Sequence, residues 1–223
     1  MATAVCLVSG GMDSLVALAL ARQQSSENAL LHVNYGHLTE SRELKAFTDI
    51  ADYYGIRRRL IVDIGYLREI GGSALTDPSI PLPPGRVDRP GIPVSYVPFR
   101  NANLLAIATS WAEVLHAGQI YIGAVEEDSS GYPDCREAFF RAFNLVIAQG
   151  TKPESRIEIM APLLHMTKKQ IVQTGAALNV PFHLTWSCYC ASDLACGACD
   201  SCLLRLKGFS EAGVLDPIAY AAR

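Results

Sequence analysis

The chain has no apolar run approaching the roughly 18–20 residues that a membrane span needs. Its first apolar stretch has no basic segment before it and is interrupted by Asp13, so a secretory signal is not expected. Positive charge is not in excess: 19 Lys and Arg stand against 22 Asp and Glu, a net charge of −3. That balance excludes a whole-molecule basic field and, with it, tight nonspecific binding of nucleic acid. The run Arg57, Arg58, Arg59 is local and reads as a solvated strand entry. Internal repeats are absent. So are two common nucleotide fingerprints, G-x-x-x-x-G-K-[ST] and G-x-G-x-x-G. The seven cysteines cannot all pair, and five of them crowd into residues 188–202. Without an export signal, such a cluster points to a metal rather than a disulfide framework. A cytoplasmic protein is expected.

What is present is a core-forming chain of 223 residues, 50% hydrophobic and 18% charged. That length suits one domain, with a C-terminal helical, metal-binding region over about residues 183–223. Short apolar runs at 4–8, 29–35, 59–64, 119–124 and 156–163 predict strands. Helical patterns lie between them. Leu44, Phe47, Ala51 and Tyr54 form one stripe with Gly55 as its stop, and Leu104, Ala108, Trp111 and Leu115 form another. Asp134 with Glu137, and Thr167 with Gln170, have capping-box spacing. Strand–helix alternation predicts an α/β, doubly wound, mostly parallel sheet with helices on both faces. Residues 71–98 break the rhythm with seven prolines and four glycines. So long a connection is either a lid over a site or a plain surface excursion.

The segment "SGGMDS" follows the first predicted strand. In an open α/β sheet, ligands bind beyond the carboxyl ends of the strands. Glycine permits positive φ and close backbone approach, so successive N–H groups can form a nest for phosphate, reinforced by the next helix's N-terminus. Ser9 and Ser14 add hydroxyl donors. Asp13 suits either a helix cap or a magnesium partner. Val8, Ser9, Gly10, Gly11, Met12, Asp13, Ser14 and Leu15 are the candidate nucleotide-binding residues.

The tail "CYCASDLACGACDSC" supplies four thiols at metal-ligand spacing in Cys188, Cys196, Cys199 and Cys202, which suits tetrahedral Zn²⁺. Cys190 is the spare or replaces Cys188, and an iron–sulfur cluster is the alternative metal centre. Cys6 reads as a core residue. Cys135 stands at a predicted helix start beside Arg136, where its thiolate would be favoured; it is a candidate catalytic group or an ordinary helix-start residue.

Four motifs in order, "SGGMDS", "YVPFRN" (96–101), "SGYPDCR" (130–136) and "TWSCY…CGACDSC", resemble the 7-cyano-7-deazaguanine synthase (QueC) family of the PP-loop ATP pyrophosphatase superfamily. The resemblance covers about residues 2–210, and "SALTDPSIPLP" at residue 73 fits the family's proline-rich segment. It implies an adenine nucleotide alpha hydrolase-like fold and a homodimer. The implied reaction consumes ATP, with Mg²⁺, to turn 7-carboxy-7-deazaguanine and ammonia into the nitrile through adenylated carboxylate and amide stages. The implied catalytic residues are Asp13, Arg100, Lys168 and Cys135. The implied substrate contacts are Arg100, Asn101, Glu126, Asp128, Tyr132, Asp134 and Arg136, with the acid that reads the guanine-like edge open among Glu126, Asp128 and Asp134. Where the family often carries Gln-Arg after Tyr-Gly, this chain has His37-Leu38, and Arg42 is a candidate substitute. Three rival readings are a tRNA-thiolating PP-loop enzyme with Cys135 as persulfide carrier, a QueC-like enzyme conjugating deazaguanine to a protein, and a zinc-stabilised ATP-binding module without catalysis.

Overall fold

A computed structural model describes residues 3–86, 91–126 and 131–222. Five parallel strands form one sheet in the order β3-β2-β1-β4-β5, with β1 Thr3–Leu7, β2 Glu27–Asn34, β3 Arg59–Asp63, β4 Gln119–Tyr121 and β5 Glu158–Met160. All five predicted strands are present. The order reverses between β2-β1 and β1-β4, so the crevice at the carboxyl end of β1 is the switch point where such sheets bind ligands.

Alternation along β1 feeds both faces. Ala4, Cys6 and Val8 join the core beneath α1 (Met12–Gln24), α2 (Glu40–Tyr53), α6 (Lys168–Ala177) and α7 (Asp200–Ala212). Val5 and Leu7 join the opposite core, beneath α4 (Arg100–Leu115) and α5 (Glu137–Gly150). The predicted helical stripes face these cores: Phe47 and Ala51 are fully buried, while Leu104, Trp111 and Leu115 pack around buried Leu105, Ala108 and Ala112. Gly55 stops α2 at a φ of +63°, and Ile56 N–H closes back on the Ala51 carbonyl at 2.9 Å. A short helix, α3 (Tyr66–Ile70), follows β3. The thiol of Cys6, sealed in the first core, is pushed up to about 12 by burial.

One of the two predicted capping boxes forms. Thr167 Oγ1 accepts from Gln170 N–H, and Gln170 Oε1 accepts from Thr167 N–H at 2.9 Å. Asp134 does not cap α5, whose N-cap is Arg136 with no side-chain acceptor. Its carboxylate instead accepts from Asn101 N–H at the start of α4, at 2.9 Å. The N-cap of α4 is Phe99, in the left-handed region at φ 57°, and it has no side-chain acceptor of its own. The remote carboxylate satisfies that helix end and opposes its positive dipole.

The proline-rich segment is packed. Ser73, Ala74, Leu75 and Thr76 are buried, Gly85 N–H donates to the Ala198 carbonyl at 3.1 Å, and Arg86 N–H donates to Asp200 Oδ1 at 2.6 Å. Its described portion is therefore a wall rather than a free excursion. A third, small core of Trp186, Cys188, Ala195, Cys199 and Cys202 lies under the C-terminal segment.

Candidate active site

The switch-point crevice holds a cavity of about 290 Å³. On one side is the loop after β1. Gly10 adopts φ +91°, and a Cβ there would stand 2.6 Å from the Glu43 carbonyl oxygen. Only glycine fits. The loop holds itself: Ser9 N–H donates to Ser14 Oγ, Gly11 N–H donates to Ser9 Oγ, and Ser14 Oγ donates to the Gly11 carbonyl, at 2.9–3.2 Å. Helix α1 has no side-chain cap at Gly11, so its first N–H groups lack both intrahelical and capping acceptors. Donors facing a crevice at a helix N-terminus make an anion site.

Lys168, at the start of α6, reaches Asp13 Oδ2 at 2.7 Å, while the other oxygen, Oδ1, is buried without a hydrogen-bond partner. A buried, unpartnered carboxylate oxygen at this crevice fits a divalent cation. Val8, Met12 and Leu15 are buried. Val8 and Met12 join Ser9, Gly11, Asp13 and Ser14 in the cavity wall, whereas Leu15 is packed behind it.

The same cavity is lined by Arg100, Asn101, Tyr132 and Cys135. Arg100 Nη1 donates to Tyr35 Oη at 3.2 Å, and Arg100 Nε is buried without a partner. A guanidinium is charged at any ordinary pH, so one with an enclosed, unpartnered Nε is suited to an anion. Tyr35, whose phenol is pushed up to about 12 by burial, stays neutral beside it. Tyr132 Oη hydrogen-bonds Ser95 Oγ at 2.7 Å. Burial raises the Tyr132 phenol too, and raises that of Tyr189, another wall residue, still further. Asn101 Nδ2 donates to the Cys135 thiol at 3.3 Å and to the Asp134 carbonyl at 2.9 Å. Cys135 is buried at the end of a single 3₁₀ turn, Pro133–Cys135, with exposed Arg136 following.

Other predicted site residues sit elsewhere. Glu126 accepts from Glu137 N–H at 3.4 Å, beside the start of α5 and outside the cavity wall. Asp134 is behind the wall, capping α4, and Arg136 is exposed at the head of α5. Asp128 lies outside the described residues. His37 stacks on Tyr35 with ring centroids 4.3 Å apart, and its Nε2 is 3.1 Å from Glu43 Oε2. Arg42 stacks over Trp186 at 4.4 Å, behind the wall that Trp186 itself forms.

Among the wall residues that sequence reasoning did not assign to the site are Gly123, Trp186 and Tyr189. Gly123 follows β4, and a Cβ on it would sit 2.6 Å from Ser14 N and 2.7 Å from Asp13 C, so the β4 end presses directly on the start of α1. A lone glycine just past a central strand was the available signal. Trp186 N–H donates to the Gly10 carbonyl at 2.9 Å, and Tyr189 comes from the segment between two thiols. Both lie in the "TWSCY" motif, which was read for its cysteine and not for a place in the wall.

The thiols of Cys188, Cys196, Cys199 and Cys202 converge, every sulfur within 4.8 Å of the others. A tetrahedral ion with metal–sulfur bonds of about 2.3 Å spaces its sulfurs about 3.8 Å apart; Cys196 and Cys202 Sγ are 3.9 Å apart. Backbone N–H groups of Cys190 and Cys196 point at Cys188 Sγ, and those of Ala198 and Cys199 at Cys196 Sγ, at 3.3–3.4 Å. Such donors favour thiolates and orient them. The set fits one metal ion. Cys190 is exposed and outside it.

The model of the family described as "Queuosine biosynthesis protein QueC" matches residues 3–213. The chain belongs to the QueC family. It is 57% identical over 220 residues to a 7-cyano-7-deazaguanine synthase of Chlorobaculum parvum, covering 99% of this chain and 97% of the relative. The 7-cyano-7-deazaguanine synthase of Chlorobaculum tepidum is equally similar, with the same coverage. Among solved structures, the U34-tRNA thiolase NcsA from Methanococcus maripaludis with its [4Fe-4S] cluster superposes with a TM-score of 0.51 at 17% identity, over 85% of this chain and 60% of that one. At that identity the likeness concerns the fold, which is the PP-loop type that the QueC resemblance implies. The four motifs that carried the resemblance all lie within the matched span.

Proposed function

We propose that this QueC-family chain is an enzyme that converts 7-carboxy-7-deazaguanine and ammonia into 7-cyano-7-deazaguanine at the expense of ATP. The observation that carries the reading is the pairing, in one cavity, of a phosphate nest with an arginine whose Nε is buried without a partner. The chemistry needs both. A carboxylate is a poor electrophile, and its oxygen leaves only once phosphorylated. The substrate carboxylate attacks the α-phosphorus of ATP, the bond to the β-phosphate oxygen breaks, and pyrophosphate departs. Ammonia then adds to the acyl carbon, loses a proton, and expels AMP to leave the amide. In a second round the amide oxygen attacks another α-phosphorus; loss of AMP and of the remaining N–H protons gives the nitrile.

In this reading Ser9, Gly10, Gly11 and Ser14 hold the departing pyrophosphate, and Asp13 would hold a Mg²⁺ that offsets its charge. Lys168, released from Asp13, neutralises phosphate charge. Arg100 holds the substrate carboxylate against the repulsion of the incoming phosphates. The buried Cys135 thiol, fixed by Asn101, shapes the wall beside Arg100. The four-thiolate set holds Zn²⁺, which contributes stability and no step of the reaction. The enzyme acts in the cytoplasm as a homodimer, and a solution mass of twice the chain tests the second point. No helix among the described residues is long and apolar enough to cross a membrane.

The test is mass spectrometry of purified protein with Mg-ATP, ammonium and 7-carboxy-7-deazaguanine. The nitrile should appear with AMP and pyrophosphate. An arrest at amide or adenylate would favour the protein-conjugating chemistry. No turnover by folded, metal-loaded protein would refute the assignment and turn the search to RNA substrates.

A further inference from the structure

Two arginines line the cavity, Arg205 fully buried and Arg100 partly buried with its Nε enclosed, and they differ in one further respect. Arg100 has donors to spare, whereas Arg205 has none. The Arg205 side chain, 1% exposed, gives Nε and one Nη2 hydrogen to the two carboxylate oxygens of Asp216, at 2.8 and 2.9 Å. The second Nη2 hydrogen points at the Phe182 carbonyl at 3.4 Å, and Nη1 donates to Thr185 Oγ1 at 2.7 Å and Ser187 Oγ at 3.4 Å. A guanidinium has five N–H donors, and all five are committed. Arg205 therefore has nothing to offer a ligand, although it is a wall residue.

What it holds is more informative. Thr185 and Ser187 flank Trp186, and the Trp186 N–H donates to the Gly10 carbonyl at 2.9 Å. That carbonyl belongs to the left-handed glycine of the phosphate nest. The counter-ion is remote: Asp216 lies in the tail beyond α7, past residue 213 where the family match ends. The tail is itself pinned. Tyr220 Oη donates to Asp216 Oδ2 at 2.6 Å, and Ala221 N–H donates to the Ala195 carbonyl at 2.9 Å.

We propose that Asp216 is a positioning residue for the nucleotide loop, acting through Arg205, Thr185 and Ser187 on the Trp186–Gly10 hydrogen bond. The inference rests on the reading of that loop as the ATP site. The bidentate pair fixes the guanidinium plane, the plane fixes two hydroxyls, and the hydroxyls fix the backbone that holds the nest. Losing Asp216 leaves a buried cation whose best remaining acceptors are those it was positioning, so the 185–187 segment is pulled out of register. The nucleotide then pays for the realignment, while the substrate carboxylate, held by Arg100, does not.

The test compares wild type, Asp216→Asn and the double variant Arg205→Met with Asp216→Leu, which keeps the volume apolar and removes both charges. Mg-ATP affinity is measured by calorimetry and KM for each substrate by pyrophosphate release, with zinc content and thermal melting alongside. The expected result is an ATP dissociation constant and ATP KM raised about tenfold, within the range of coupling through packed networks. The KM for 7-carboxy-7-deazaguanine should stay within about twofold, and zinc should stay unchanged. Unchanged ATP affinity in folded Asp216→Asn overturns the proposal. So does parallel loss of both affinities together with zinc, which would make the pair a general strut. If Asp216→Asn fails to fold, the apolar double variant decides: weak ATP binding in a folded protein supports positioning, and wild-type binding overturns it. Wild-type protein that binds no Mg-ATP would instead remove the nucleotide reading itself, and this inference with it.

Discussion

Replacing Gly123 with alanine tests how closely the sheet must approach the nucleotide loop. The added Cβ would stand 2.6 Å from Ser14 N, 2.7 Å from Asp13 C and 2.8 Å from Asp13 O. All three are backbone atoms, so no side-chain rotamer can yield. Ordinary contact begins near 3.4 Å, so the β4 end and the head of α1 have to separate by about 0.8 Å. Overpacking of this kind costs about 1–3 kcal/mol, which for a chain of this length lowers Tm by about 2–12 °C. The displacement falls on the peptide joining Asp13 to Ser14, at the centre of the nest. Misplacement by about 1 Å costs about a hundredfold in rate, so kcat/KM for ATP should fall roughly 10- to 100-fold while the protein remains folded at 25 °C. The assay is pyrophosphate release at varied ATP, beside melting curves. Gly150→Ala is the control, because nothing lies within 4 Å of a Cβ there. Activity of Gly123→Ala within twofold of wild type would refute the reasoning, for the loop would then tolerate the separation or take no part in catalysis.

Arg100→Ala and Asp13→Ala should each cut turnover by about a hundredfold or more with little change in melting; near-wild-type rates in both would sink the site assignment. Cys188→Ser should lose metal binding and stability with it, whereas Cys190→Ser, altering an exposed thiol outside the set, should keep one metal ion per chain by elemental analysis. His32 supplies a pH signature. Its Nδ1 is 2.9 Å from the Val8 carbonyl and its Nε2 is 3.0 Å from Asn34 Oδ1, and burial lowers its pKa below the ordinary 6.5. The neutral ring donates from Nδ1 to Val8, and it needs the Asn34 amide nitrogen turned toward Nε2. Its contribution to stability is complete above about pH 6.5 and is lost as pH falls through the lowered folded value, because the unfolded chain takes the proton first. Denaturation midpoints at pH 8 and pH 5.5 should differ less in His32→Gln than in wild type.

Several local features could be read directly from residue order. "SGGMDS" after an apolar run specified a tight turn with outward N–H groups, because only glycine takes the backbone geometry found at Gly10. Thr167 and Gln170 formed their capping box, because both partners lie within one turn. Asp134 shows the opposite case. Its spacing to Glu137 is correct for a capping box, yet its carboxylate serves α4, 33 residues away in sequence, because Phe99 leaves that helix end without an acceptor. A carboxylate satisfies whichever unpaired N–H the fold brings closest, and sequence distance carries no information about that.

By itself the sequence determined the strand–helix alternation, the glycine turn after β1 and a C-terminal thiol cluster, while leaving Cys188 or Cys190 open as its first member. Each depends on contacts within a few residues, on periodicity or on backbone stereochemistry. Only the tertiary structure decided which charged groups face the ligand. Arg100 and Arg205 look alike in sequence and both line the cavity, but one is left short of acceptors and the other is saturated by Asp216, Thr185, Ser187 and Phe182. Glu126, Asp134 and Arg136 were candidates by motif, and packing put them outside the cavity wall. Whether a donor is free depends on every acceptor around it, and those acceptors come from parts of the chain that only folding brings together.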